Sequence, residues 1–580
     1  LQLENLETRH LLASDVLAYG EVASDWFRTL NTADDSQAQW IVRFSEDQLE
    51  STEDITEAPS YFAASELDIE VVRGLGLPGQ FVIQAEQAIS GAVSDWLALQ
   101  PGIAYAARDS GQQLASVTDR GTMYAQQWSL NNTGQLGTAA GIDIDVERAW
   151  SSGATGQGSI VAVIDTGIDW RQPDLRDRVW INQREIPPDI HAALVDVNGD
   201  GAITFDELNH ADNRSVVLDN DRDGYITASD LSWYDNIDND GNGFRDDLFG
   251  YSFATGSYDS DGHGTAVASL IAASQQSFGG MSGVAPAAQI LPLRGRMPGT
   301  STLSTANIIE AINYTTLMRQ HFEVPIGVIN ASWGSSIYDA GIYDAMRAAG
   351  EAGILVVAAA GNDAVDDVGD NLDFQPYYPA SFDLPNILSV TATSSSDELA
   401  GFANYGANRV DLAAPGTDIV VAKANTFGGS LPYRPHTYEL SSGTSWSTAL
   451  VSGAVALLQS QVPTASYSMI RDAILHGADQ LDSLVGLVGS AGRLNVYGAL
   501  RNLADDLIIS DPARGESISG PRTYFDVTWL TTPLQESVEA VDLTLDGRPA
   551  ETLEWLGSST ARFHFVTPQA ALEGIHTLSI

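Results

Sequence analysis

The sequence contains no cysteine, so a thiolate nucleophile, thiolate metal ligands and disulfides are all excluded. Lysine is almost missing too. Of 28 basic residues only Lys423 is a lysine, set against 76 acidic residues and a formal net charge of −48. A chain this acidic repels nucleic acid and anionic membrane surfaces, which places nucleic-acid binding outside the expected functions. It also lacks any run of 18 or more apolar residues, so no transmembrane helix is expected. No basic stretch followed by an apolar segment opens the chain, and no signal peptide is visible. The chain begins at Leu1 rather than Met and ends on His576-Thr-Leu-Ser-Ile580, which reads as mid-strand. The expectation is a fragment of a longer protein.

What is present divides by texture. At 580 residues the chain has room for two to four domains. Residues 1–35 are polar without a strong period and read as leader or linker. Residues 36–122 read as a small α/β unit: Trp40-Ile-Val-Arg-Phe44, Gly79-Gln-Phe-Val-Ile-Gln84 and Ile103-Ala-Tyr-Ala-Ala107 as strands, Gln87 to Leu99 as a helix. Residues 123–505 alternate strands and helices. Ile160-Val-Ala-Val-Ile164, Ile326-Gly-Val-Ile-Asn330 and Ile354-Leu-Val-Val-Ala358 are nearly unbroken apolar runs, as strands buried on both faces of a parallel sheet require. With Gly264 to Ala273 and Trp446 to Gln461 as helices, the pattern is a doubly wound α/β fold. Residues 506–580 change to short alternating strands, with Asp546-Gly547 as a turn. They suggest an immunoglobulin-like β-sandwich, cut short.

Three islands carry chemistry. Val161-Ala-Val-Ile-Asp165-Thr-Gly167 places an acid at a strand end, where active sites of open α/β sheets lie. Asp261-Gly-His263-Gly-Thr265 places a base between glycines at a helix start. Ser442-Gly-Thr-Ser445 places a hydroxyl at the start of another helix, whose positive end faces charge that develops during attack. Asp165, His263 and Ser445 in this order, each with these neighbours, resemble the catalytic triad of the subtilisin-like serine proteases. The resemblance runs from Gln126-Gln-Trp-Ser-Leu-Asn-Asn-Thr-Gly134 to about Leu503.

The resemblance implies further roles. Asn362, in Val356-Val-Ala-Ala-Ala-Gly361-Asn362, is similar to the family's oxyanion-hole asparagine. Ser332-Trp333-Gly334 and Ala359-Ala360-Gly361 resemble the two walls of the pocket for the residue preceding the scissile bond. Gly299, Thr300 and Ser301 fall where the family pairs with substrate backbone. No charged residue stands out in these walls, so an apolar or broad preference is expected. The α/β unit at 36–122, ending near Gln100-Pro-Gly-Ile-Ala-Tyr105, resembles an inhibitory propeptide, with a boundary expected between Asp109 and Tyr124. The implied protein is a secreted or surface-borne serine endopeptidase, made as a zymogen, acting on peptide or protein substrates. The opening Leu3-Glu-Asn-Leu-Glu-Thr-Arg-His-Leu-Leu-Ala13 is similar to a leader motif of exported planctomycete proteins. Two departures stand just after the nucleophile, where Ser447 and Ala449 replace the family's usual alanine and proline. A third precedes Pro173, where Gln172 replaces histidine. The alternative reading is a weak or inactive surface or scaffold protein.

Between acid and base lies an insertion, expected at residues 190–250. Asp196-Val-Asn198-Gly-Asp200-Gly201-Ala202-Ile-Thr-Phe-Asp-Glu207 fits an EF-hand loop position by position, with the Ala202 carbonyl at position 7. Asp219-Asn-Asp221-Arg-Asp223-Gly224-Tyr225-Ile-Thr-Ala-Ser-Asp230 repeats it with the shorter Asp at position 12. A third loop, with Asn236, Asp238, Asp240 and Asp247, resembles a calcium loop of bacterial members of the family. Hard oxygen donors without His or Cys select Ca²⁺. The paired loops also allow a dockerin-like docking module, although such modules stand at chain ends.

Overall fold

The computed structural model describes residues 38–45, 48, 55–63, 65, 67–75, 78–108, 111–114, 117–118, 124–170, 172–197, 199, 201–220, 226, 230–231, 234–253, 262–274, 280–296, 302–362, 368–424 and 438–505, and the strands 507–511, 524–529, 544–545, 548–549, 552–555, 560–564 and 578–579. The leader at 1–35 lies outside the described residues.

The small N-terminal unit is a four-stranded antiparallel sheet. Its strands are β1 (Ala38–Phe44), β2 (Glu70–Gly74), β3 (Gln80–Ala85) and β4 (Ile103–Arg108), in the order β2-β3-β1-β4. Trp40, Val42, Phe44, Phe81 and Ile83 fill its own core with Val93 and Leu97 of the helix Ser90–Leu97. The opposite face supplies Ile41, Val72, Leu75 and Val82 to a core shared with the larger domain. Burying apolar area on both faces ties the unit down, and ion pairs orient it. Arg43 meets Asp344 at 2.9 Å, and Arg73 pairs with Glu310 and donates to Asn307 Oδ1 at 2.6 Å. Two short strands follow, β5 (Gly111–Leu114) and β6 (Val117–Thr118).

The larger domain begins its strands with β7 (Ile160–Asp165), β8 (Tyr251–Ser252), β9 (Gln289–Arg294), β10 (Thr302–Ser304), β11 (Ile326–Ala331) and β12 (Trp333–Gly334). It continues through β13 (Leu355–Ala359), β14 (Ile387–Thr393), β15 (Leu412–Pro415), β16 (Ile419–Ala422), β17 (Tyr438–Ser442), β18 (Asp479–Gln480) and β19 (Gly492–Arg493). Nine of these form one sheet in the order β18-β19-β15-β14-β13-β11-β7-β9-β8. All its pairings are parallel except that of β18 with β19.

The apolar runs have their explanation in two cores. Along β7, Val161 and Val163 face one core while Ile160, Ala162 and Ile164 face the other. Along β13, Leu355 and Val357 face the first, Val356 and Ala358 the second. A strand covered by helices on both faces needs apolar side chains at every position, so alternation vanishes. The helices His263–Ala272 and Thr444–Gln461 cover the first face, and Thr305–His321 and Ala340–Glu351 the second. Thr444–Gln461 is buried through Leu458, and its small residues let neighbours approach. A Cβ at Gly453 would stand 2.7 Å from the Val284 Cβ. The fold is the doubly wound α/β arrangement that the sequence pattern implies.

After the helix Val496–Asp505, β20 (Leu507–Asp511), β21 (Tyr524–Trp529), β22 (Thr544–Leu545), β23 (Arg548–Pro549), β24 (Thr552–Trp555), β25 (Thr560–His564) and β26 (Leu578–Ser579) form two antiparallel sheets, β20-β21-β25-β24 and β23-β22-β26. The expected turn at Asp546-Gly547 lies outside the described residues.

Candidate active site

Asp165 is the last residue of β7, fully buried, with its Oδ1 accepting the Thr166 N–H at 2.8 Å. His263 opens the helix His263–Ala272 behind Gly262, whose φ of +89° is the left-handed conformation that glycine adopts freely. Its neighbour Gly264 packs against the acid strand. A Cβ there would stand 2.1 Å from the Gly167 carbonyl oxygen, so no other residue lets helix and strand come this close. The imidazole Nδ1 donates to Asp165 Oδ1 at 2.8 Å, with Oδ2 at 3.0 Å, and Nε2 stands 3.1 Å from Ser445 Oγ. Ser445 is the second residue of its helix and fully buried. Its Oγ also lies 3.2 Å from the Ser332 carbonyl oxygen. The Trp446 indole packs on the imidazole, ring centroids 5.2 Å apart.

Asn362 reaches the same point from the end of β13. Its Oδ1 accepts the Thr444 N–H at 3.0 Å, leaving Nδ2 buried without a hydrogen-bond partner. Orphaned buried donors are uncommon, and this one belongs to a side chain anchored beside Ser445. Ser447 fits its place, its hydroxyl donating to the Ala414 and Pro415 carbonyls at 3.0 and 3.1 Å. Ala449 is fully buried in the first core. Both departures are thus accommodated by the helix they sit in.

Of the expected wall residues, Ser332 bonds directly to the serine residue, its Oγ donating to the Ser445 carbonyl at 3.1 Å. The Trp333 side chain turns into the core and donates to the Ile164 carbonyl at 2.9 Å, which leaves only its backbone for the expected wall. Gly334 ends β12, Ala359 ends β13, and Ala360 and Gly361 follow. Gly299, Thr300 and Ser301 lie outside the described residues. The strand that follows them, β10, pairs antiparallel with β5, and β5 pairs antiparallel with β12, with Leu114 opposite Trp333 and Gln113 opposite Gly334. Three residues before the serine, Ser442 of β17 pairs with Val117 of β6. The chain's own segment is therefore built into strands on both sides of Ser445.

The insertion has a small core of its own. Ile203 and Ile226, at position 8 of the first two loops, pack with Phe205, Leu208 and Leu231. In the first loop Asp196 accepts the Gly199 and Gly201 N–H groups at 2.6 and 2.7 Å. Glu207 Oε1 accepts the Val197 N–H at 3.0 Å, while the same side chain completes a capping box with Thr204. In the second, Asp230 Oδ1 accepts the Asn220 N–H at 2.7 Å, the equivalent bond. Ala202 and Asp219 are described, whereas Asn198, Asp200, Asp221, Asp223 and Tyr225 lie outside the described residues.

The third loop has a different register from the one that starts at Asn236. Asp238 accepts the Gly241 and Gly243 N–H groups, each at 2.8 Å, which is the role of Asp196 and so of position 1. Asn236 instead directs its own N–H to Asp246 Oδ2. Carboxylate oxygens of Asp238, Asp240 and Glu185 lie within 4.8 Å of one another. Glu185 comes from the turn after Asn182, where spacing within the loop gave no signal for it. Asp247 lies behind, fully buried and held by Asn182, Asn242 and Tyr314. Burial, then the charges of Asp247 and Asp240, pushes the Glu185 carboxyl up to about 8. Burial and Asp240 push Asp247 up to about 7. An oxygen-only set of crowded carboxylates matches what Ca²⁺ takes as ligands. Asp174 accepts the Tyr438 hydroxyl at 2.5 Å and the Met281 N–H at 3.3 Å.

A profile of the Subtilase family matches residues 156–499. The chain is 30% identical over 380 residues to the thermophilic serine proteinase of Bacillus sp. strain AK1, a match covering 65% of this chain and 71% of that one. It is 33% identical over 255 residues to subtilisin Savinase of Lederbergia lenta, covering 43% and 83%. To the extracellular protease of Xanthomonas campestris pv. campestris it is 29% identical over 412 residues, covering 70% and 60%. No helix among the described residues is long and apolar enough to cross a membrane. A parallel α/β sheet carrying an acid, an imidazole and a serine in hydrogen-bonded sequence, matched over most of its length by this profile, makes the chain a member of the subtilase family of serine endopeptidases.

Proposed function

We propose that Asp165, His263 and Ser445 are the catalytic triad, with Asn362 in the oxyanion hole, of a calcium-stabilised endopeptidase made as a zymogen. The observation that carries this is the chain of contacts from Asp165 to His263 at 2.8 Å and on to Ser445 at 3.1 Å. A neutral serine is a weak nucleophile, so His263 Nε2 takes the Oγ proton as Oγ attacks a peptide carbonyl. Asp165 accepts from Nδ1, fixes the tautomer and stabilises the imidazolium. Negative charge grows on the former carbonyl oxygen, and the Asn362 Nδ2 with the Ser445 N–H would receive it. A donor already oriented and unpaired needs no reorganisation at that moment. The imidazolium then protonates the leaving amine, and water repeats the sequence on the acyl-enzyme.

The zymogen reading rests on the N-terminal unit. Its apolar face packs on the catalytic domain, Arg43 and Arg73 pair with Asp344 and Glu310, and β5 takes up the backbone pairing that an extended substrate would use. The calcium reading rests on the donor sets. Glu185, Asp238 and Asp240 would hold one ion. The first loop would hold another through Asp196, Asn198, Asp200, Glu207 and the Ala202 carbonyl, and the second a further one through Asp219, Asp221, Asp223, Asp230 and the Tyr225 carbonyl. Bound Ca²⁺ supplies charge neutralisation and cross-linking of loops, and takes no part in bond cleavage. The relative from Xanthomonas campestris pv. campestris is named an extracellular protease, which supports a role outside the cell for this chain.

Labelling with a fluorophosphonate tests the centre. The purified chain should incorporate one equivalent, and Ser445→Ala none. Equal labelling of both would sink the assignment. Mass spectrometry of the chain incubated with calcium should find a new N-terminus between Asp109 and Tyr124, absent in Ser445→Ala.

A further inference from the structure

The two proposed walls beside Ser445 end in glycines, Gly334 and Gly361. Paired glycines of this kind ordinarily leave a slot between two backbones that a large side chain could enter. Here one ring edge of the chain itself lies against both. A Cβ at Gly334 would stand 2.3 Å from Tyr377 Cε1 and 2.9 Å from Cδ1, and a Cβ at Gly361 would stand 2.7 and 2.8 Å from the same two carbons. The Tyr377 ring fills the space that the missing side chains leave, and glycine is further required at Gly334 by the Tyr378 carbonyl oxygen, 2.7 Å from the same point, and at Gly361 by its φ of +93°.

The ring is firmly held. Ser335 and Tyr378 exchange backbone hydrogen bonds of 2.8 and 2.7 Å, which fastens the segment to the first wall. The Tyr377 N–H donates to Ser381 Oγ at 3.1 Å, and the ring packs beside Ala360 and Leu372. The second wall is fixed by the Asn404 N–H on the Gly361 carbonyl at 3.0 Å. Both walls lead straight to the reacting centre, the first through Ser332, bonded to Ser445, and the second through Asn362, bonded to Thr444. Burial holds the Tyr377 phenol well above its ordinary range, so the ring is neutral.

We infer that Tyr377 is a specificity-determining residue which closes the floor of the pocket and restricts the residue before the scissile bond to a small side chain such as Ala, Gly or Ser. The inference rests on the proposed triad and walls, and it narrows the apolar or broad preference that an uncharged pocket alone implies. A large side chain would have to displace a ring wedged between two backbones, whereas a methyl group needs no such space.

The test compares peptides that differ only in that residue, with enzyme concentration set by fluorophosphonate titration. The wild type should cleave after Ala or Ser at least about tenfold better, in kcat/KM, than after Phe or Leu. Tyr377→Gly should raise cleavage after Phe relative to Ala by about 10–100-fold, and Tyr377→Phe, which keeps the ring, should retain the wild-type preference. Should Tyr377→Gly fail to fold, the wild type and Tyr377→Phe still decide, because equal cleavage after Ala and Phe by the wild type overturns the inference. An unchanged preference in a folded, titratable Tyr377→Gly overturns it as well. A wild type that does not label removes the triad and the inference together, whereas one that labels and does not discriminate removes the inference alone.

Discussion

The two acidic centres of this chain, one at Asp165 and one at Glu185, are built on opposite principles. Asp165 is fully buried yet met on its own terms, by the His263 Nδ1 and the Thr166 N–H. Around Glu185 three more carboxylates gather, Asp238, Asp240 and Asp247, and the groups that meet them are neutral amides, backbone N–H groups and a phenol. Buried charge is tolerated when it is paired and becomes a proton reservoir when it is not. The first centre is complete within the protein. The second is one that a cation, as proposed, or protons would complete.

The largest test of this contrast is Asp165→Asn. It removes the charge that complements the imidazolium, and kcat should fall by about 10⁴-fold, a loss of the size known for triad aspartates in serine proteases. Steady-state kinetics at saturating peptide would check it, and retention of a tenth of the activity would break the comparison. Asn362→Ala comes next. It should lower kcat by about 10²–10³-fold with KM little changed, the loss known for the oxyanion-hole asparagine of a subtilisin.

The second centre answers in stability. Unfolded, these carboxyls lose their protons near pH 4, whereas in the folded chain without a cation Glu185 and Asp247 hold theirs to about 8 and 7. The folded state binds more protons across that window. Stability in EDTA should therefore be fullest below about pH 4 as far as these groups decide it, and fall as pH rises toward 8. Added Ca²⁺ at pH 8 should restore it, by about 2.7 kcal/mol at a hundredfold excess over Kd. A melting temperature unmoved by EDTA and Ca²⁺ would count against the site. The smallest effect separates the two centres most sharply. Glu185→Gln should raise the melting temperature slightly in EDTA at pH 8 and weaken the response to Ca²⁺. No change in either would show that Glu185 is no ligand.

Local motifs made the first centre readable. A strand end, a helix start and a second helix start each carry their own neighbours, so Asp165, His263 and Ser445 could be found without knowing how the chain folds. The apolar runs at Ile160 and Ile326 likewise announced a sheet covered on both faces. What escaped was whatever the chain brings in from a distance. Glu185 enters the third loop from a turn far upstream, and no spacing rule reaches it. Tyr377 lies in a loop, and only the folded backbones of Gly334 and Gly361 give its ring a meaning. The strand Glu70–Gly74 was too short and too polar at Glu70 and Arg73 to stand out, because Arg73 serves an ion pair with Glu310 rather than a strand face.

β5 lies between β10 and β12 and bonds to both. A strand with neighbours on two edges does not depart when one peptide bond beyond it is cut. Its backbone hydrogen bonds, and the packed sheet upstream of it, remain to hold it. Under the proposed zymogen reading, the delay before the enzyme acts on other proteins is a residence time, governed by how slowly a cleaved strand peels away. A time course of activity would show a lag, and shortening that lag by loosening Arg43 or Arg73 would leave the final rate the same.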